Sequence, residues 1–195
     1  MNKKYQIIYA DPPWSYSCDS APAAARPSLE RGEKPHSVNH YYDTMKTADI
    51  QALPIPAISE KDAVLFLWVT NPFLHEGLHV MESWGFKYKT TFTWHKERCK
   101  GMGYWFRGHT EHLLLGVRGN VKAFRSLQHN IVKLPVEQHS KKPDWFRDMI
   151  IGLTPDKTRI ELFARERSEG FDVWGNEVES DILLGPNVDL RERAL

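Results

Sequence analysis

Asp11-Pro12-Pro13-Trp14 gathers a carboxylate, two rigid backbone carbonyls and an indole into four residues. Such a group could hold an aromatic amine, for example the exocyclic N6 of adenine. That nitrogen is a poor nucleophile because its lone pair is delocalised into the ring. A carboxylate and a proline-fixed carbonyl can each accept one of its N–H groups, which favours the pyramidal form whose lone pair is free to attack. Acceptors placed where charge develops contribute about 3 kcal/mol each to a transition state. Trp14 would offer a face on which an extruded base could stack, for about 1–3 kcal/mol. The same residues also fit an ordinary strand-to-loop turn carrying a core Trp, and taken alone they leave both readings open.

The elements that would position this group can be read outward from it. Tyr5 to Ala10 is an apolar run that reads as a strand buried on both faces. Proline cannot donate to a sheet, so the strand stops and presents Asp11 at its C-terminal edge, where open α/β sheets bind ligands. Ser15 to Asp43 has no period and carries Pro22, Pro27, Gly32 and Pro35, so residues 15–43 read as a mobile substrate lid or as disorder. Thr47 is expected to cap a short helix burying Ile50 and Leu53. Ala63 to Val69 reads as a second buried strand. Thr70-Asn71-Pro72 then opens a helix with Phe73, Leu74, Leu78, Val80, Met81 and Trp84 inward.

Phe86 to Lys96 alternates, which predicts a strand with Phe86, Tyr88, Thr90, Phe92 and Trp94 on one face. Residues 97–109 interleave Arg98, Lys100 and Arg107 with Tyr104, Trp105 and Phe106, a pattern suited to nucleic acid, or else to a solvated loop anchored by its aromatics. Lys96, Arg98, Trp105, Arg107, Glu111 and Trp14 are the candidate substrate contacts. His109 and His112, without nearby Cys or clustered acids, make a poor metal site. Leu113 to Val117, Ile131 to Leu134, Arg159 to Ala164 and Phe171 to Trp174 read as further strands. Pro143 opens a helix with Phe146, Met149, Ile150 and Leu153 inward. Strands alternating with helices indicate an α/β sandwich with a mainly parallel sheet.

Composition sets bounds on the rest. With 195 residues and a net charge of +1, the expectation is one domain without a global field for nucleic acid, so phosphate binding must be local. Two cysteines, Cys18 and Cys99, suggest a reducing compartment, and no apolar run approaches a membrane span. A soluble, cytoplasmic protein is expected.

A transferase needs a donor site beside Asp11. Ser140-Lys141-Lys142-Pro143 at a helix start suits an anionic group. The strand end Phe163-Ala164-Arg165 could hold a nucleoside, with Arg165 and Asn176 reaching a ribose. There is no G-x-G-x-x-G, which argues against an ordinary dinucleotide fold.

In order, Asp-Pro-Pro-Trp, Phe66-Leu67-Trp68-Val69-Thr70, Trp84-Gly85, Glu111-His112, Gly116-Val117-Arg118-Gly119-Asn120, Ser140-x-Lys142-Pro143, Ile160-Glu161-Leu162-Phe163-Ala164-Arg165 and Gly175-Asn176 resemble the adenine-N6 methyltransferases. That family is typified by the catalytic subunit of the eukaryotic messenger-RNA adenosine methyltransferase, and it has many bacterial and phage relatives. This chain looks like a minimal bacterial or phage member, and the resemblance runs from about Tyr5 to Glu177. It implies a Rossmann-like S-adenosylmethionine-dependent methyltransferase sandwich in permuted order, helices on both faces, with the catalytic motif preceding the cofactor motifs.

By the same resemblance, Asp11, Pro12, Pro13 and Trp14 hold the target amine. Asp11 and Lys142, with Ser140 close by, face the methionine end of S-adenosylmethionine, whose product is S-adenosylhomocysteine. Phe163 and Arg165 contact its nucleoside, and Asn176 with Glu177 its ribose and adenine. Glu177 stands where the type member has Gln, and the Arg165-Glu166-Arg167-Ser168 loop lacks the Asn found there. The resemblance implies DNA in preference to RNA, since the chain carries none of the extra RNA-binding domains of the eukaryotic enzymes. A non-catalytic subunit and cytosine-N4 methylation are the alternatives, and a homodimer or a partner methyltransferase subunit would supply further recognition. Residues 1–177 are expected to form the domain; the tail, 178–195, fits either docking on the body or dimerisation.

Overall fold

The computed structural model describes residues 3–15, 44–98, 105–124, 126–136 and 141–184. Most of the expected lid (16–43), residues 99–104 of the second loop, and Ser140 lie outside the described residues. Among the described residues seven strands and four α-helices follow one another as β1 (Tyr5–Ala10), α1 (Thr47–Gln51), α2 (Ile55–Ile58), β2 (Ser59–Thr70), α3 (Leu74–Ser83), β3 (Lys87–Glu97), β4 (Thr110–Arg118), β5 (Ile131–Pro135), α4 (Trp145–Leu153), β6 (Arg159–Leu162) and β7 (Asp172–Trp174), with a short 3-10 turn (Asn71–Phe73) leading into α3. Among the described residues no helix is long and apolar enough to cross a membrane.

The strands form one sheet in the order β5-β3-β4-β2-β1-β6-β7. β1 lies parallel to both β2 and β6, β6 is parallel to β7, and β3 is parallel to β5. Only β4 runs against its neighbours β2 and β3. The first strand of the chain is thus flanked by the sixth, and every residue of the sixth is buried, Ile160 and Leu162 on its apolar face and Arg159 and Glu161 on the other.

Alternation along the strands feeds two cores. Ile8, Leu65, Leu67, Leu114, Ile160 and Leu162 pack with Ile50, Val80 and Met81 of α1 and α3 on one face. Ile7, Tyr9, Phe66, Trp68, Trp94 and Leu113 pack with Phe146 and Ile150 of α4 on the other. Helices therefore cover both faces, as expected of the sandwich. α3 lies close on the sheet because of Gly77: a Cβ there would sit 2.3 Å from Val69 Cγ1.

Three details differ from expectation. Thr47 is the first helical residue of α1 rather than its cap, and Lys46 precedes it without a capping side chain. Leu74 opens α3 at 41% exposure instead of facing inward. Tyr88 does not share a face with Trp94, because a bulge between Tyr88 and Thr90 sets two residues against one on β4. One inserted residue reverses the side-chain alternation, so Phe86 joins the first core while Phe92 and Trp94 join the second.

The described start of the tail runs back onto the body. The Asp181 N–H donates to the Val173 carbonyl at 2.9 Å, and Asp181 Oδ2 accepts the Val173 N–H at 2.8 Å. Leu184 is buried in the first core, and Ile182 packs against it.

Candidate active site

The C-terminal ends of β1, β2, β3 and β6 share one edge of the sheet, and the start of antiparallel β4 reaches the same edge. A strand that stops at proline delivers Asp11 here. Pro143, just ahead of α4, delivers Lys142 to the same place. The Lys142 ammonium donates to Asp11 Oδ2 at 2.7 Å across 131 residues of chain. It also lies 3.3 Å from Glu111 Oε2, whose other oxygen accepts from the Lys96 ammonium. The result is an alternating line of charge, Asp11–Lys142–Glu111–Lys96. The Lys142 side chain is 11% exposed and that of Glu111 12%, against 32% for Asp11, so the carboxylate at the end of the line is its open end.

Trp68 at the end of β2 ties the pieces together. Its ring lies 5.4 Å from the Lys142 ammonium, a cation–π arrangement. Its indole N–H donates to the Tyr9 hydroxyl at 2.8 Å, and its carbonyl accepts the Trp14 indole N–H at 3.1 Å. Trp14 stacks on Phe73 with ring centroids 5.3 Å apart and is 5% exposed. Its expected role as an open face for a base is therefore corrected. The indole is a buried anchor that fixes the Asp-Pro-Pro turn, and it has too little free surface to stack a ligand.

The two prolines are not equivalent. The Pro13 carbonyl accepts the Met45 N–H at 2.8 Å, in the short bridge that also joins Ser15 to Met45. The Pro12 carbonyl accepts only the local Trp14 N–H at 2.9 Å among the described backbone hydrogen bonds. A carbonyl has two lone pairs, so Pro12 retains acceptor capacity.

Burial and charge act in opposite senses along the line. Burial pushes the Asp11 carboxyl up, with the Lys142 ammonium pulling against it. Burial also pushes Glu111 up, but its two lysines outweigh this and hold it below the usual carboxylate range. Burial alone would lower Lys142; Asp11 and Glu111 overcome it and keep the ammonium charged. A carboxyl lowered in the folded state contributes stability above its unfolded pKa, near 4.3, and loses it as pH falls through the folded value. Glu111→Gln is therefore expected to be less stable than wild type at neutral pH. The difference should shrink as acidification passes below about pH 4. Denaturant midpoints at several pH values would check this, and an undiminished gap in acid would contradict it.

Beyond β6 the chain turns through Phe163, whose φ of +63° is in the left-handed region. Such backbone is uncommon for a non-glycine residue and clusters at ligand sites. Phe163 is half-buried and meets Trp174 edge-on at 5.4 Å. Gly175 lies against the same turn, and a Cβ there would sit 2.0 Å from the Ala164 carbonyl oxygen, so only glycine admits this approach. Arg165 and Glu177 form an ion pair at 3.5 Å, and Asn176 stands exposed beside them. Behind this turn, Arg147 of α4 grips Glu161 of β6 with two hydrogen bonds of 2.8 and 2.7 Å, holding the helix that follows Lys142 against the strand that precedes Phe163.

The expected residues thus divide into groups. Asp11, Lys142 and Glu111 meet directly, with Lys96 next in line. Phe163, Arg165, Asn176 and Glu177 form a second cluster around the β6 and β7 ends, and Arg165 is near enough to Asp11 to act on its charge. Arg98, at a φ of +57°, follows the end of β3, two residues beyond Lys96. Trp105 is 83% exposed, and Arg107 follows it in the segment leading into β4. Trp68 was missed as a site residue; an indole two residues from the end of a buried strand was the available signal.

A carboxylate facing a buried lysine, beside a strained turn at the switch point of the sheet, fits a small cationic and anionic ligand together. The sequence matches the MT-A70 family over residues 5–177. This chain belongs to the MT-A70 family. The chain is 35% identical to the type II methyltransferase M.MunI of Mycoplasma sp over 192 residues, which is 94% of this chain and 82% of that protein. It is 29% identical over 198 residues to the N(6)-adenosine-methyltransferase catalytic subunit METTL3 of Homo sapiens, covering 96% of this chain and 30% of that one. An N(6)-adenosine-methyltransferase MT-A70-like protein of Arabidopsis thaliana is 27% identical over 199 residues, 97% of this chain and 26% of its own length. The chain therefore spans most of M.MunI and less than a third of the other two MT-A70 relatives.

Proposed function

We propose that this chain transfers a methyl group from S-adenosylmethionine to the exocyclic N6 of adenine in DNA. The observation that carries the reading is the contact between Asp11, which ends the first strand, and Lys142, which precedes the last helix. It sits at the sheet edge where Phe163 and the Arg165–Glu177 pair also emerge.

The residues fit the methyl donor. The Asp11 carboxylate suits a sulfonium, the Lys142 ammonium suits the amino acid's carboxylate, and half-buried Phe163 beside Gly175 suits a nucleoside. S-adenosylmethionine would supply the electrophilic methyl group. On the acceptor side, Asp11 takes one N–H of the adenine amine and the Pro12 carbonyl takes the other. This leaves the nitrogen lone pair free to form the new N–C bond; the bond from the methyl carbon to sulfur would break with its electron pair left on sulfur, and the excess N6 proton would pass to Asp11 and from there to solvent. Positioning the two reactants lowers the barrier further, by several kcal/mol in well-oriented cases, on the order of 7–11 at most. Lys142, neutralised on both sides, holds Asp11 in place without protonating it. Lys96, Arg98, Trp105 and Arg107 are read as contacts to the polymer, and the permuted strand order is part of this proposal.

DNA is preferred to RNA because similarity to the enzymes named for N(6)-adenosine is lower and covers less of their length. That similarity nonetheless extends over nearly the whole of this chain and makes RNA the second reading. The chain alone should be incubated with methyl-labelled S-adenosylmethionine and either polymer, and the product digested to nucleosides. Label in N6-methyldeoxyadenosine is expected. Label in N6-methyladenosine would move the substrate to RNA, label in N4-methylcytosine would move the acceptor base, and no label with any polymer would leave a non-catalytic subunit.

A further inference from the structure

We propose that α3 carries a second site, a two-histidine chelate for a borderline transition-metal ion such as Zn2+ or Ni2+. His75 and His79 are both exposed on this helix, and their rings lie 4.2 Å apart between centroids at an interplanar angle of 65°. Residues four apart share one helical face, so this pair, unlike His112, whose two ring nitrogens are taken by Thr93 and Asn71, brings two imidazoles to a single ion without rearranging the backbone. Imidazole nitrogen suits zinc, nickel and copper and does not suit calcium or magnesium.

The five residues His75-Glu76-Gly77-Leu78-His79 also spell the H-E-x-x-H pattern in which the glutamate acts as general base on metal-bound water. The structure argues against that chemistry here. Gly77 marks the inner face, pressed on Val69, and one carboxylate oxygen of Glu76 is buried with no hydrogen-bond partner among the described residues. That oxygen of Glu76 is out of contact with solvent and so with a water held on the histidines. Among the described residues no set of three or more His, Cys, Asp or Glu side chains is grouped for a metal, so the two histidines are the ligands these residues supply. The site is a binding site, open and non-hydrolytic.

Its consequence is mechanical. The residue just ahead of α3 is Phe73, which stacks on Trp14 behind the Asp-Pro-Pro turn. An ion bridging His75 and His79 fixes the first two turns of the helix that backs this turn. A ligand bound only by the folded state raises stability by mass action.

The test uses the untagged full chain. Zinc chloride and nickel chloride are titrated calorimetrically in a non-chelating buffer, and thermal unfolding is followed with and without zinc. One ion per chain is expected, with a zinc-dependent rise in the unfolding midpoint that a chelator reverses. His75→Ala and His79→Ala should each weaken binding on the order of a hundredfold, because the second ligand no longer acts intramolecularly. Both positions are exposed, so the variants should fold. Glu76→Gln should bind as wild type does. Absence of binding, or wild-type affinity in the doubly substituted chain, would overturn the proposal; weakened binding in Glu76→Gln would make Glu76 a ligand and overturn the two-histidine arrangement.

Discussion

Asp11→Ala is expected to slow methyl transfer by on the order of a hundredfold to a thousandfold while leaving a folded chain. The size follows from the removal of a preorganised acceptor from the amine. The survival of the fold follows from the charge line: Lys142 keeps Glu111 at 3.3 Å when Asp11 is gone, so no buried ammonium is orphaned. Burial pushes the Asp11 carboxyl up, which means that ionising it opposes folding. A carboxyl raised in this way contributes stability below its unfolded pKa and loses it as pH rises through the folded value. At neutral pH its removal should therefore cost little. Asp11→Asn retains one acceptor oxygen without the charge and should fall between the two. Single-turnover transfer with labelled donor, beside a thermal melt, separates rate from stability. A wild-type rate in Asp11→Ala would remove Asp11 from the chemistry.

Lys142→Met should have the largest effect on stability. Its stem can still pack on Trp68, so the loss isolates the charge. Without the ammonium, Asp11 and Glu111 face each other across a buried edge, and Glu111 keeps only Lys96. Removing one partner of a buried pair costs about 3–5 kcal/mol, and Asp11 is exposed enough that the lower end, about 3 kcal/mol, is expected. Acid should narrow the deficit, since protonation relieves the unpaired carboxyls. Affinity for S-adenosylmethionine should fall in parallel. Calorimetric binding at wild-type affinity would take Lys142 out of the donor site, whatever its effect on folding.

Much of this architecture could be read from the chain. Ile7-Ile8-Tyr9-Ala10 and Ala63 to Val69 are apolar on both faces, and runs of that length bounded by turn residues fit interior strands of a covered sheet. Asp11 after the first of them was legible for the same reason, because proline ends a strand wherever it falls. The pairing of Glu111 with Lys96 was not legible. It depends on β3 and β4 lying antiparallel with Trp94 opposite Glu111, a register no local pattern specifies. The bulge at Tyr88 escaped because one added residue leaves the alternating letters intact and changes only which face they serve. Trp14 was misjudged for a related reason: an indole beside a motif looks like a platform until its N–H finds the Trp68 carbonyl. The contact between Asp11 and Lys142 came from the ordered family motifs rather than from residue spacing. Nothing within either segment points across 131 residues.

A crystal structure of the chain with S-adenosylhomocysteine would test the central claim most directly. The product's sulfur should lie beside Asp11 with its carboxylate on Lys142 and its nucleoside against Phe163, between the ends of β1 and β6. Product bound elsewhere, such as the cleft at the opposite end of the strands lined by Lys3, Lys157 and Arg159, would contradict it.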